Sequence, residues 1–377
     1  MPEWEAVDGL RPRVAGIVEG FERPSYYSRK KVRSMGRVAL MATRVTEIAL
    51  ANAGLDQSPV LSDGQTGIAY GSTIGAEPAI RKFAERIGFQ STLTGITGAT
   101  FIQLMSHTCA ANLAQFFGIK GRVLPTNAGD TSGSQGIGYG MGTLATGRQD
   151  VMVVGGAEAL SMVGASFFDM LSATSRAGGD QVTVPRPFDH IHDGLVVAEG
   201  AASLILERED HARSRNAAPL GQIAGYASAC DRPRQLHPSR GRMAQVMRQA
   251  LEHAGLTPSQ IGWIHAHGLA SKSADIEESW AIAEVFGDQT PVINLKSYFG
   301  HTQAACGGIE PWLCLQLLAE GWLPPILNFH EPDPECAALA YATQELASQA
   351  DYAMHFCFGY NGVMTAIVLG SPRTTTH

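Results

Sequence analysis

Thr126–Gly138 reads TNAGDTSGSQGIG. It passes from a short strand into a helix made almost wholly of small residues, and such a helix can approach its neighbours closely. Three further segments rich in glycine, histidine or both lie downstream: HAHG at His265–Gly268, KSYFGHTQAACGGIE at Lys296–Glu310 and FCFGYNG at Phe356–Gly362. Asp275 and Glu278 follow the HAHG segment. Strand ends that lead into glycine-rich turns are where α/β enzymes place reactive groups. The Gly133–Gly142 run lacks the GxGxxG order, so it reads as a closely packed helix rather than a nucleotide loop.

Around these segments, short runs rich in Val, Ile and Leu read as buried strands: Val151–Val154, Ala202–Leu206, Ile261–Ala266, Val292–Leu295, Tyr352–Phe358 and Met364–Leu369. Amphipathic stretches lie between them. Met35–Ala53 places Val38, Met41, Val45, Ile48 and Ala49 on one face, and Met243–Ala254 does the same with Val246, Ala250 and Leu251. Strands alternating with helices predict an α/β fold with buried sheets. The polar stretch Glu207–Ala217 reads as a connector, dividing the chain into halves 1–207 and 208–377.

The bulk numbers exclude several classes. With 377 residues, 45% of them hydrophobic and 17% charged, the chain is globular rather than disordered. A formal net charge of -7 argues against general nucleic-acid binding. No apolar run is long enough to span a bilayer. The start, MPEWEAVDG, lacks a secretory signal, so a cytoplasmic location is expected. The six cysteines form no CxxC pair and read as buried thiols in a reducing compartment.

Taken together, the four segments resemble the β-ketoacyl-acyl carrier protein synthases, the ketosynthases of the thiolase-like superfamily. GGAEAL (Gly155–Leu160), RPFDHIHDGLVVAEGAASLILE (Arg186–Glu207) and the final FGYNG extend the match in register over most of the chain. The resemblance implies a duplicated five-layer α-β-α-β-α fold and a two-fold dimer formed through the strand around Arg122–Asn127. It implies that His267 and His301 donate hydrogen bonds to a thioester oxygen during decarboxylation. It gives Lys296 a bracing role and makes Glu278 and Glu310 the carboxylates that hold it. The backbone N–H groups of Asp130 and Tyr360 match the oxyanion hole, and Tyr360 stands at the gating phenylalanine. Asp189, His190, His192 and Asp193 look like metal ligands but fall in a loop of the family pattern, so no metal and no cofactor are expected.

The nucleophile does not carry over. Counting back from GGAE, the family's cysteine falls on Asp130, and Thr131-Ser132-Gly133 keeps the motif's register. A helix N-terminus favours thiolate there. An aspartate keeps its charge there and could cap the helix. Attack by it on a thioester would give a mixed anhydride, which is quickly hydrolysed. Two negative charges 4 Å apart repel by about 4 kcal/mol at an effective dielectric near 20, which opposes malonyl chemistry unless a proton is shared with His267 or His301. Other departures follow. The HGTxT pattern becomes His267-Gly268-Leu269-Ala270-Ser271, which removes a hydroxyl at Leu269 and leaves Ser271 toward the pantetheine arm. A glycine becomes Asn361, and Pro311 should kink or restart its helix. WEAV at Trp4–Val7 resembles the helix after the family's opening strand, a strand expected at the centre of the sheet; a late start is expected to account for its absence. Cys357, beside the last loop, reads as packing, with a displaced nucleophile as the alternative.

Arg29, Lys30, Lys31, Arg33 and Arg37 form a basic cluster. It is either a solvated face or, by the resemblance, a docking surface for an acidic acyl carrier protein. The expected function is that of a ketosynthase-like subunit of a fatty-acid or type II polyketide system, including aryl-polyene systems. It would act as a chain-length-factor-like partner in a heterodimer with an active ketosynthase, or otherwise as a homodimer. Two alternatives remain: a malonyl-carrier-protein decarboxylase or other thioester-processing enzyme using His267 and His301, and a pure carrier-protein binding module.

Overall fold

Val151–Glu158 is buried along its whole length, which is why it reads as an apolar run without alternation. It lies in a sheet that carries half of the molecule. The computed structural model describes residues 2–178, 184–231 and 237–375. The strands are β1 (Thr66–Gly71), β2 (Val123–Thr126), β3 (Val151–Glu158), β4 (Gly200–Glu207), β5 (Gln222–Cys230), β6 (Ile261–His265), β7 (Pro291–Ile293), β8 (Trp322–Leu323), β9 (Ala340–Tyr341), β10 (Leu346–Ala347), β11 (Tyr352–Phe358) and β12 (Val363–Gly370).

The first sheet has the order β2-β1-β3-β4 and the second β5-β12-β11-β6-β7-β9. In the first, β2, β1 and β3 are parallel and β4 is antiparallel to β3. The second contains the same arrangement: β7, β6 and β11 are parallel and β12 is antiparallel to β11. The duplication is therefore one of topology. The helices Ser132–Ala145 and Cys306–Glu320, which follow β2 and β7, pack against each other and against both sheets. The helices Arg37–Asn52 and Thr108–Phe117 cover the first sheet, and Arg240–Ala254 covers the second with Lys272–Phe286 against it. This gives five layers, α-β-α-β-α.

The small residues of the two central helices explain their contact. A Cβ at Gly307 would lie 2.2 Å from the backbone nitrogen of Ser134, and one at Gly133 would lie 2.7 Å from the carbonyl of Ala304. Only glycine allows two helix backbones to cross so closely.

Several expectations change. The helix Arg37–Asn52 buries Val38, Ala39, Met41, Ala42, Thr46 and Leu50, while Ile48 is exposed. The apolar stripe is thus rotated away from Ile48, because the small side chains meet the sheet. The helix Cys306–Glu320 runs through Pro311 as one element rather than restarting. Pro311 has no N–H to donate to the carbonyl of Gly307, four residues back, so this helix lacks one of its backbone hydrogen bonds. The counterpart of an opening strand is visible in the second half as β5, which lies at the sheet edge beside β12, not at its centre. Among the described residues the first sheet has no such strand, and its parallel core is intact. Among the described residues no helix is long and apolar enough to cross a membrane.

Candidate active site

Asp130 lies in the turn between β2 and the helix Ser132–Ala145. Thr131, not Asp130, takes the N-cap position, and no side chain caps this helix. The capping role expected of Asp130 is thus not what holds it. The turn is braced instead by Ser132, whose hydroxyl donates to the carbonyl of Gly129 and accepts from the amide of Ala128 at 2.9 Å. This leaves the Asp130 carboxylate facing His301, with Oδ1 3.2 Å from Nε2. The contact is ionic; its angle falls short of a hydrogen bond, and both ring nitrogens of His301 lack a hydrogen-bond partner. Both residues are buried. Burial disfavours the imidazolium, but the Asp130 charge outweighs it and lifts His301 to about 9.

His301 is positioned by the first half of the chain. Its amide donates to the carbonyl of Val196 at 2.7 Å, and its carbonyl accepts from the amide of Ala198 at 2.9 Å. Gly300 precedes it with a φ of 82°, and a Cβ there would lie 2.7 Å from the Val196 carbonyl. The GLVVAEG stretch and the FGHT stretch are thus one structural unit.

His267 leaves β6 in the turn HAHG. Glu278 accepts from the amides of His267 (2.6 Å) and Gly268 (2.8 Å), while Asn294 donates to the carbonyls of Ala266, His267 and Gly268. The role expected of Glu278, holding Lys296, is therefore not observed. It holds the turn backbone instead, because its helix, Lys272–Phe286, aims it at the strand end. Burial pushes its carboxyl up to about 8, against those two donors. Lys296 is held by Glu310 alone of the two, at 2.7 Å. Burial works against the ammonium, but Glu310 raises it above its ordinary value.

Lys296 also donates to Nδ1 of His267 at 3.1 Å. A cation has no lone pair to offer, so Nδ1 must be the acceptor and the ring proton sits on Nε2. Burial, reinforced by Lys296, pushes His267 well below its ordinary value, so the ring is neutral. Its Nε2 has no partner. The His267 and His301 rings stand edge to face, 5.5 Å apart. The site thus holds one neutral histidine donor and one histidine charged against Asp130.

Asp130, His267 and His301 bring ligand atoms within 4.8 Å of one another, a spacing open to a metal ion. The Lys296 hydrogen bond opposes this, since it leaves a proton rather than a lone pair on Nε2 of His267. The other group of metal-like residues is engaged elsewhere. His192 lies 3.0 Å from Asp275 and 3.1 Å from Asp333, and Asp189 accepts from three backbone amides.

Phe168 packs on His301, with ring centres 5.7 Å apart, and on Tyr360 at 5.6 Å. Gly359 abuts Asp130: a Cβ there would lie 3.6 Å from the Asp130 amide nitrogen. The amides of Asp130 and Tyr360 make no hydrogen bond among the described residues. Ser271 lines a surface cleft of about 460 Å³ with His192 and Lys272. The basic cluster does not hold together. Arg37 pairs with buried Glu199 at 2.6 Å, while Arg29, Lys30, Lys31 and Arg33 are exposed and form no ion pair among the described residues. Lys31 lies over the Phe116 ring.

Sequence reasoning missed two contributors, Cys306 and His355. Cys306 and Cys357 lie with their sulfurs 3.8 Å apart, and both approach the carbonyl of Asp130. Burial pushes the Cys306 thiol well above its ordinary value, so it is no substitute nucleophile. His355 donates to Glu310 at 3.0 Å from within β11. A histidine inside an otherwise apolar strand was the available signal.

The comparisons agree with this geometry. The family described as "Beta-ketoacyl synthase, N-terminal domain" matches residues 13–212, and "Beta-ketoacyl synthase, C-terminal domain" matches residues 220–330. A "Putative polyketide beta-ketoacyl synthase 1" of Streptomyces cyaneus is 35% identical over 271 residues, covering 70% of this chain and 64% of that protein. The crystal structure of a beta-ketoacyl synthase from Burkholderia phymatum STM815 superposes with a TM-score of 0.96 at 40% identity, covering 98% of this chain and 91% of the other. The structure titled "The ishigamide ketosynthase/chain length factor" gives a TM-score of 0.88 at 25% identity, covering 97% of this chain and 89% of that one. The two matches take in the whole first sheet and the site residues from Asp130 to Glu310, and the chain belongs to the beta-ketoacyl synthase family.

Proposed function

We propose that this chain is a non-condensing ketosynthase-like subunit of a fatty-acid or type II polyketide assembly system, divided into halves at 207/208. It completes a dimer with an active ketosynthase in the manner of a chain-length factor, in the cytoplasm, and serves acyl carrier protein. The observation that carries this is the Asp130–His301 ion pair at the position of the attacking thiol. A carboxylate there gives no stable acyl-enzyme. The free edge of β2, with Val123 and Tyr139 exposed beside it, supports pairing with a second subunit. Purification from the native host should recover an active ketosynthase in one-to-one ratio. The chain alone should form no condensation product, and intact mass should show no acyl adduct after incubation with acyl-carrier protein. A persistent adduct on any cysteine, or a monomer by sedimentation with every candidate ketosynthase, overturns the reading.

A second reading, malonyl-carrier-protein decarboxylation, is favoured by the unpartnered Nε2–H of His267. Release of labelled CO2 from malonyl-carrier protein, lost in His267→Ala, tests it.

A further inference from the structure

We propose that Asp130 and His301 together hydrolyse acyl thioesters of a pantetheine thiol, so that the pocket releases free acid where its relatives would retain an acyl-enzyme. This rests on the reading of Asp130 as a non-condensing residue and goes beyond it, since a chain-length-factor role requires no chemistry.

Four observations converge. The Asp130 carboxylate occupies the turn ahead of the helix Ser132–Ala145, where the family's attacking atom stands. His301 Nε2 lies 3.2 Å from it. His301 is fixed by backbone hydrogen bonds to Val196 and Ala198, so it keeps its place when the pair is disturbed. The amides of Asp130 and Tyr360, together with the Nε2–H of neutral His267, are donors without acceptors around the same point. Donors left unpaired in a buried site are what a developing oxyanion requires. The His301 proton also removes the like-charge objection for an uncharged acyl group.

The steps balance. An Asp130 carboxylate oxygen attacks the thioester carbon, and the carbonyl π pair moves to the oxygen held by the donors. That oxyanion collapses, the C–S bond breaks, and the leaving thiolate takes the proton of the His301 imidazolium. The product is a free thiol and a mixed anhydride on Asp130. Water then attacks the acyl carbon of the anhydride, neutral His301 accepts the water proton, and the Asp130 carboxylate leaves. The net change is thioester plus water to carboxylic acid plus thiol. The anhydride lies above the thioester in energy, so it does not accumulate.

The test uses the full chain with octanoyl-carrier protein, octanoyl-coenzyme A and octanoyl-pantetheine, measuring octanoic acid by mass spectrometry. The wild type should release acid faster than buffer. Asp130→Asn should fall to the buffer rate, and His301→Gln should lose about 100-fold. Asp130→Ala serves if the asparagine variant does not fold. Added hydroxylamine should give octanoyl hydroxamate with the wild type in excess of the direct reaction with the thioester, and Asp130→Asn should give only that direct yield. The rate should fall as pH rises through about 9, where His301 loses its proton. Release from the carrier protein alone assigns the substrate to the carrier, and equal release from all three assigns recognition to the pantetheine thioester. Wild-type release no faster than buffer on all three overturns the proposal, as does an Asp130→Asn variant as fast as wild type or a wild-type hydroxamate yield equal to that of Asp130→Asn. Failure here leaves the subunit reading intact; that reading falls on a stable adduct, a β-ketoacyl product or a monomer with every candidate ketosynthase.

Discussion

A carboxylate as buried as Asp130 is costly unless a cation answers it, and removing one partner of such a pair costs about 3–5 kcal/mol. His301 is that cation. Lys296 cannot serve, since Glu310 holds it and it spends its remaining contact on His267. Asp130→Cys removes the charge but keeps the turn, the helix and the unpaired donors. It should become acylated by acyl-carrier protein, read as a stable adduct by intact mass. Its stability should drop by about 3 kcal/mol near neutral pH. The gap to wild type should narrow as pH rises through about 9, because the wild-type pair loses its proton there. A folded variant without an adduct would show that the pocket does not admit the acyl group.

At the scale of elements, the short helix Arg29–Val32 is capped by Ser28 and exposes its three basic residues. Arg33 follows at once and is exposed too. Arg37 begins the next helix and turns inward to Glu199, which also accepts from the amides of Val18 and Leu160. The docking surface proposed for acyl carrier protein therefore reduces to Arg29, Lys30, Lys31 and Arg33. Reversing Lys31 and Arg33 to glutamate should slow carrier-protein association about tenfold or more at low salt and change dissociation less. Surface plasmon resonance at two salt concentrations reads both rates. Equal association rates for variant and parent at low salt would reduce the cluster to a solvated face. Arg37→Glu should act differently, lowering stability by breaking the Glu199 pair rather than altering encounter.

For the whole molecule, several buried groups set a pH window. His301 is raised to about 9, Glu158 to about 7 and Glu278 to about 8. For all three, the folded state binds protons more tightly than the unfolded chain. Their stabilisation is complete at low pH and is lost as pH rises through the folded values. His265, buried and lowered to about 3, works in the other direction, as do His267 and Glu310. The folded histidines are neutral and Glu310 is ionised, so acid removes their contribution. Thermal stability should therefore peak between about pH 5 and 6.5 and fall steadily toward pH 9. A melting temperature that stays flat or rises from pH 6.5 to 9 would contradict the assignment of these groups.

The sequence by itself determined the α/β layering, because continuous apolar runs and small-residue helices have few other ways to be buried. Its resemblance to the family, carried by motifs in register, also pointed to Asp130 at the expected nucleophile position and to His267, His301, Lys296 and Glu310 as its site. The tertiary structure alone decided how they pair. His301, not His267, meets Asp130; Lys296 sets the tautomer of His267; Glu278 serves a backbone turn; Arg37 leaves the basic cluster to pair with Glu199. Each of these joins residues from different segments, and hydrogen bonds and ion pairs depend on a few tenths of an ångström and on angle. Local sequence carries residue type and period, but it carries no information at that precision until the two sheets and the central helices have closed around the site.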